Sequence, residues 1–233
     1  RDGSISLELP NLAEHLRATV VNQIAIDQPR YAGFTTAMAG QGSRPVRDTS
    51  DEYFPTYDDA GNPLGVVTRG QVHTQGLWHC SAHVLLFNTD DELLLQRRGE
   101  HKDLYPNCWD YSVGEHLKVG ESYQQGARRG LQEELGLEGV TLVSVSGVEK
   151  ATWSGANFID RSMFQGFTAR AKRALDVAND EVAQVKWIAL SELTKLLIQR
   201  EELFTPWSLP HLANAQSVLE KLSQFEAVAE ESL

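Results

Sequence analysis

Apolar residues first recur at a four-residue spacing, in Leu12, Leu16, Val20 and Ile24, behind Asn11 and Glu14, a pair that fits a capping box. One amphipathic helix ending before Pro29 is expected there. Residues 31 to 55 are rich in Gly, Ser, Thr and Pro and show no period, which predicts an extended wrap or linker. From Thr56 the apolar runs shorten to strand length. The turn cluster Asp58-Asp59-Ala60-Gly61-Asn62-Pro63 leads to a strand over Leu64 to Thr68, and Ala82 to Phe87 with Glu92 to Gln96 reads as a β-hairpin around residues 88 to 91. Further strands are expected at Thr141 to Val145, Met163 to Ala169 and Ala183 to Ile188, where β-branched and aromatic residues concentrate.

Three stretches switch to helical periodicity. From Ser122 the helix formers Gln, Ala, Arg, Leu and Glu run for about fourteen residues to a glycine stop at Gly136. Ser191 is expected to cap a helix carrying Leu193, Leu196 and Leu197, and a last helix carries Val218, Leu219, Leu222 and Phe225. Strands around one central helix, with helices outside, predict an α/β fold, an α/β/α sandwich with a mixed sheet. The organisation expected is residues 1–55 as an N-terminal helix and wrap, and 56–233 as the domain.

Composition narrows the function classes. With 233 residues, 41% hydrophobic and 23% charged, the chain can bury a substantial core. A net charge of −11 disfavours a nucleic-acid polymer or an anionic membrane as partner, since both need local positive fields. Cys80 and Cys108 form no C-x-x-C pair, so a reducing compartment is the easier reading. No apolar run of about eighteen residues predicts membrane insertion. A soluble intracellular protein, in the cytoplasm or an organelle interior, is expected. The chain opens on Arg1, which fits a trimmed or processed product.

The chemistry concentrates in Gly114 to Leu137, GEHLKVGESYQQGARRGLQEELGL, where four carboxylates and a basic pair surround a glycine turn that runs into a helix. Hard divalent cations, Mg2+ or Mn2+, take several oxygen ligands and keep water, which clustered glutamates beside a backbone carbonyl can supply.

This stretch resembles the signature of the Nudix family, G-x5-E-x7-R-E-U-x-E-E-x-G-U with U aliphatic. Glu121, Arg129, Leu131, Glu133, Glu134, Gly136 and Leu137 match at the right spacing. Two positions depart: Glu115 stands at the leading glycine and Gly130 at the first glutamate of R-E-U-x-E-E. The resemblance implies hydrolysis of a diphosphate linkage X-P-P by a metal-activated water. Metal would be held by the Gly114 carbonyl, Glu121, Glu133 and Glu134, and with no glutamate at 130 the proton would go to Glu134 or Glu115. Arg97, Arg98, Lys102 and Arg129 are candidates to meet the phosphates of a small organic diphosphate.

A finer resemblance covers roughly Thr56 to Trp207. His73-Thr-Gln-Gly-Leu-Trp-His79, LLFNTDDELLLQRR ending at Arg98, Lys102-Asp-Leu-Tyr-Pro-Asn-Cys-Trp-Asp110, NDEVAQVKW ending at Trp187 and Phe204-Thr-Pro-Trp207 are similar to the isopentenyl diphosphate isomerase branch and its hydrolase relatives. In the isomerases, histidines aligning with His73, His79 and His116 hold a metal, and a cysteine and a downstream glutamate move protons. Here those two positions are Gly114 and a place near Ser162, with Asp160 beside it. Isomerisation needs two proton-transferring groups on opposite faces of the alkene, so the expectation is a hydrolase. The alternatives are a catalytically impaired binding or assembly subunit, with residues 1 to 55 meeting a protein partner, and an isomerase.

Overall fold

The computed structural model describes residues 52–155, 158–171, 177 and 181–231. The helix expected at Leu12 to Ile24 and most of the wrap after it lie outside the described residues.

Among the described residues nine strands form one sheet: β1 (Tyr53–Tyr57), β2 (Pro63–Thr68), β3 (Trp78–Phe87), β4 (Leu93–Arg98), β5 (Trp109–Asp110), β6 (Val113–His116), β7 (Val143–Gly155), β8 (Phe158–Arg170) and β9 (Val182–Ile188). The sheet is mixed. β3 pairs with β8 in parallel, from Trp78 opposite Arg161 to Phe87 opposite Arg170, and with β1, β4 and β6 antiparallel. The boundary expected between residues 55 and 56 falls inside β1, whose Phe54 is buried.

Alternation along β3 divides two cores, because successive strand side chains point to opposite faces. Cys80, Ala82, Val84 and Leu86 pack under α2 (Tyr123–Leu135), against Ala127, Leu131 and Leu135. Leu85 and Phe87 face the other way, beneath α3 (Leu190–Gln199), α4 (Leu209–Ala213) and α5 (Ala215–Glu231), which contribute Leu193, Leu212, Leu219 and Leu222. The fully buried Leu131 and Leu222 each bring about 1.5–3 kcal/mol of apolar transfer. Helices on both faces of a mixed sheet make the expected α/β/α sandwich.

Local signals held where the backbone alone decides. α2 is capped by Ser122 with Gln125 closing a capping box, and it stops at Gly136 in the left-handed region, φ 65. Elsewhere they did not. Ala189, not Ser191, occupies the N-cap of α3, and it makes no side-chain cap bond. The strand expected at 141–145 starts two residues late and that at 163–169 starts early, because both belong to the thirteen-residue strands β7 and β8, which keep each other's ladder groups satisfied well past the apolar runs. The seven-residue helix α1 (Arg69–Gln75), capped by Thr68, was not foreseen, being too short to show a period.

Candidate active site

Strand β6 is the wall between two clusters. Val113 and Glu115 face α2, while Gly114 and His116 face the α3–α5 side, so adjacent residues of one four-residue strand serve different sites.

On the α2 side Arg129 is the hub. Its Nε and NH2 each donate at 2.8 Å to Glu121, NH2 also donates at 2.8 Å to the His116 carbonyl, and NH1 donates to Glu133 at 3.1 Å and lies 2.9 Å from Glu115 Oε1. A guanidinium spread over these acceptors organises the loop and is not a free group for substrate. Glu121 also accepts from the Lys118 N–H at 2.7 Å, which locks the turn before α2. Glu133 is exposed and lies 3.4 Å from Lys118 Nζ. Glu134 is buried and accepts from Gln96 Nε2 at 2.7 Å. Burial pushes its proton affinity well up, and the charge of Glu115 adds to that. Glu115, largely desolvated, is raised to about 7 despite Arg129.

The two box departures touch. A Cβ on Gly130 would stand 2.7 Å from Val113 Cγ1 and 2.9 Å from Glu115 Cβ, so the helix is pressed against β6 with no room for a side chain at 130.

On the other side three histidines converge. His73 comes from α1, His79 from β3 and His116 from β6, and one ligand atom of each lies within 4.8 Å of the others. His79 Nδ1 faces the Leu77 carbonyl at 3.1 Å, which fixes the proton there and leaves Nε2 as the lone pair. That lone pair lies 3.5 Å from Asp160 Oδ1 on β8. His73 Nε2, His79 Nε2 and Asp160 Oδ1 are all buried without a hydrogen-bond partner. Burial lowers the basicity of His73, to about 3, and of His79, so both favour the neutral ligand form. Two neutral imidazoles and a carboxylate with orphaned lone pairs fit a divalent metal such as zinc or manganese. His116 Nδ1 lies 3.3 Å from Arg69 NH1, a group that can only donate, so ligation by His116 requires its ring to give up Arg69.

His73 and His116 open into a cleft whose walls include Arg69, Arg98, Tyr111, Trp153 and Trp207. Arg98 enters it, donating to the Leu104 carbonyl at 3.0 Å and lying 5.3 Å over Trp207. Lys102 Nζ pairs with Glu181 at 2.9 Å, and Arg97 donates to the Asn107 carbonyl, away from the cleft. Arg69 is the cation that sequence reasoning missed: it pairs with Asp103 and precedes His73 by one helical turn, and α1 itself was not foreseen. Also unforeseen was the chain Ser162, Ser81, His83, His211 on the cleft floor, linked at 2.6, 2.9 and 3.0 Å. His211 carries no local signal.

A family model, NUDIX domain, matches residues 77–208, more than half of the chain. The protein belongs to the Nudix family. An isopentenyl-diphosphate Delta-isomerase of Cereibacter sphaeroides is 32% identical over 150 residues, covering 64% of this chain and 84% of that protein. Nudix hydrolase 3 of Arabidopsis thaliana is 29% identical over 171 residues, 69% of this chain but 22% of its own length. A crystal structure of a Deinococcus radiodurans protein shares the fold, with TM-score 0.51 and 19% identity over 64% of this chain and 90% of that one.

Within this Nudix domain, Gly114 has no space for a side chain: a Cβ there would be 2.7 Å from Tyr111 Cε2 and 3.0 Å from its hydroxyl. Ser162 Oγ is engaged with Ser81.

Proposed function

We propose that this Nudix protein is a metal-dependent hydrolase that cleaves the X-P-P linkage of a nucleotide or other small organic diphosphate. The observation that carries the reading is the Tyr111 ring lying where a side chain at 114 would begin. The position that the resemblance gives to the proton-donating cysteine is closed, and its counterpart is a hydrogen-bonded serine, while the box carboxylates remain.

In this reading the diphosphate crosses the edge of β6 that lies away from β3, so that Arg98 and Arg69 at the cleft reach its phosphate oxygens with paired contacts while the glutamates lie round that edge. Glu133 and Glu134, with the Gly114 carbonyl, would hold Mg2+ or Mn2+. When bound, the metal lowers the pKa of water and screens charge on the bridging oxygen. Glu115, with a proton affinity near neutrality, takes the proton from the attacking water. Arg129 keeps Glu115, Glu121 and Glu133 in register. Trp153 and Trp207 flank the organic group X.

A second reading, isomerisation of an alkenyl diphosphate, is favoured by the retained histidine cluster and by the isomerase relatives. It lacks the proton-transferring pair. The deciding experiment is release of phosphate or nucleotide from a panel of diphosphates with Mg2+ and with Mn2+, comparing the native chain with Glu134→Gln, alongside conversion of isopentenyl diphosphate. Turnover lost in Glu134→Gln supports the hydrolase; isomerisation without phosphate release overturns it.

A further inference from the structure

The two departures from the Nudix box are one event in space. The box has glycine on the strand and glutamate on the helix, and this chain has Glu115 on the strand and Gly130 on the helix. Gly130 is buried, and a Cβ built on it would meet Glu115 Cβ at 2.9 Å and Cγ at 3.3 Å. The first carbons of the Glu115 side chain, together with Val113 Cγ1, therefore occupy the volume in which a side chain at 130 would start. A glutamate at both positions cannot be housed without parting α2 from β6, because Val113 Cγ1 closes the remaining side at 2.7 Å.

The carboxylate of Glu115 is also well placed. It emerges on the α2 side, largely shielded, with Oε1 2.9 Å from Arg129 NH1, the same guanidinium nitrogen that donates to Glu133. Its charge acts directly on buried Glu134. Among the described residues these carboxylates outnumber the cations at this spot, where Arg129 is shared by Glu115, Glu121 and Glu133, Lys118 lies 3.4 Å from Glu133, and Lys102 is paired with Glu181. Clustered carboxylates with few cations are a donor set for a hard divalent ion.

We infer that Glu115 and Gly130 are a reciprocal exchange, in which the carboxylate that the box carries on the helix is delivered from the neighbouring strand, to the same metal and the same water. The inference rests on the hydrolase reading for the water, though not for the metal. It makes Gly130 a requirement of the exchange and not a mark of decay: the helix gives up about 1 kcal/mol relative to alanine so that the strand carboxylate fits.

The test is Mn2+ affinity by calorimetry, in the His79→Ala background so that the histidine cluster does not contribute, together with diphosphate hydrolysis by the same single variants in the native chain. Glu115→Gln and Glu115→Gly are each expected to weaken Mn2+ binding tenfold or more, and E115G/G130E to return it to within threefold of the parent. G130E alone is expected to lower the melting temperature and to bind no more tightly. Unchanged affinity in Glu115→Gln overturns the exchange, as does a folded E115G/G130E that binds no better than E115G. Should the double variant not fold, the Glu115→Gln arm decides. Rescue of Mn2+ affinity without turnover of any diphosphate would uphold the exchange and sink the hydrolase reading, so the two failures are distinguishable.

Discussion

His79 Nε2 and Asp160 Oδ1 face each other at 3.5 Å across the β3–β8 pair, both buried and both without a hydrogen bond. A lone pair opposite a carboxylate oxygen is stable only with a proton or a cation between them. Burial opposes charge on the imidazole, and an ion resolves the conflict.

Asp160→Asn separates the two roles of this contact. In chelator, the amide NH2 can donate to His79 Nε2, so stability should rise by about 1 kcal/mol as a buried acceptor pair becomes a hydrogen bond. Zinc or manganese affinity should fall at least tenfold. Thermal melts with and without metal check both signs; a variant that is destabilised in chelator would show that the contact is not repulsive in the native chain.

The two clusters lie on opposite faces of β6, and they should titrate independently. Calorimetry with Mn2+ is expected to resolve two classes of site, with H73A/H79A removing one and Glu134→Gln the other. Loss of both classes in either variant would mean a single shared centre.

Glu115 gives the metal-free protein a pH signature. Its folded pKa is about 7, above the ordinary carboxylate value of about 4.5, so the folded state binds the extra proton between those two values. Stability then declines as pH rises from about 4.5 to 7, with an upper bound of roughly 3 kcal/mol. Glu115→Gln should flatten that part of the profile. Urea melts in chelator at pH 5 and pH 8 measure it, and an unaltered slope in the variant would assign the dependence elsewhere.

Gly114→Cys, even combined with Ser162→Glu, should not create an isomerase. The new Cβ collides with the Tyr111 ring, at an expected cost of about 1–3 kcal/mol, and Tyr111 is held in the core beside His83 and His211. Proton exchange into the alkene, followed by NMR in deuterated water, is the readout, and its appearance at a useful rate would show that Tyr111 yields easily.

Ser122→Ala removes the α2 cap, including the bond from Gln125 N–H to Ser122 Oγ at 3.3 Å, and should cost about 1 kcal/mol. Because α2 carries Arg129, Glu133 and Glu134, weaker Mn2+ binding should accompany the lower melting temperature.

Much of the architecture could be read from the chain because it rests on local rules. The box helix has its cap at Ser122 and its stop at Gly136, and strand periodicity marked β4 and β9 within two residues and the C-terminal parts of β3 and β8. The fold family followed from seven spaced matches. What the residues could not show is side-chain sharing across elements. Arg129 looked like a phosphate ligand until its donors were seen to be spent on Glu121, Glu133 and the His116 carbonyl. Gly130 looked like a missing carboxylate until Glu115 was found lying over it. Arg69 was silent because α1 is too short to carry a period, and His211 because only the packing of α4 onto the sheet brings it within 3.0 Å of His83.

The sequence by itself determined the approximate place of most strands, the glycine stop of the box helix and the carboxylates that this helix carries, since these depend on spacing along one segment. Only the tertiary structure decided that the carboxylates and the histidines lie on opposite faces of β6, and that Glu115 on the strand packs over Gly130 on the helix. Those outcomes depend on which strand lies beside which helix and how closely, a distance set by the packing of two cores that no single segment contains.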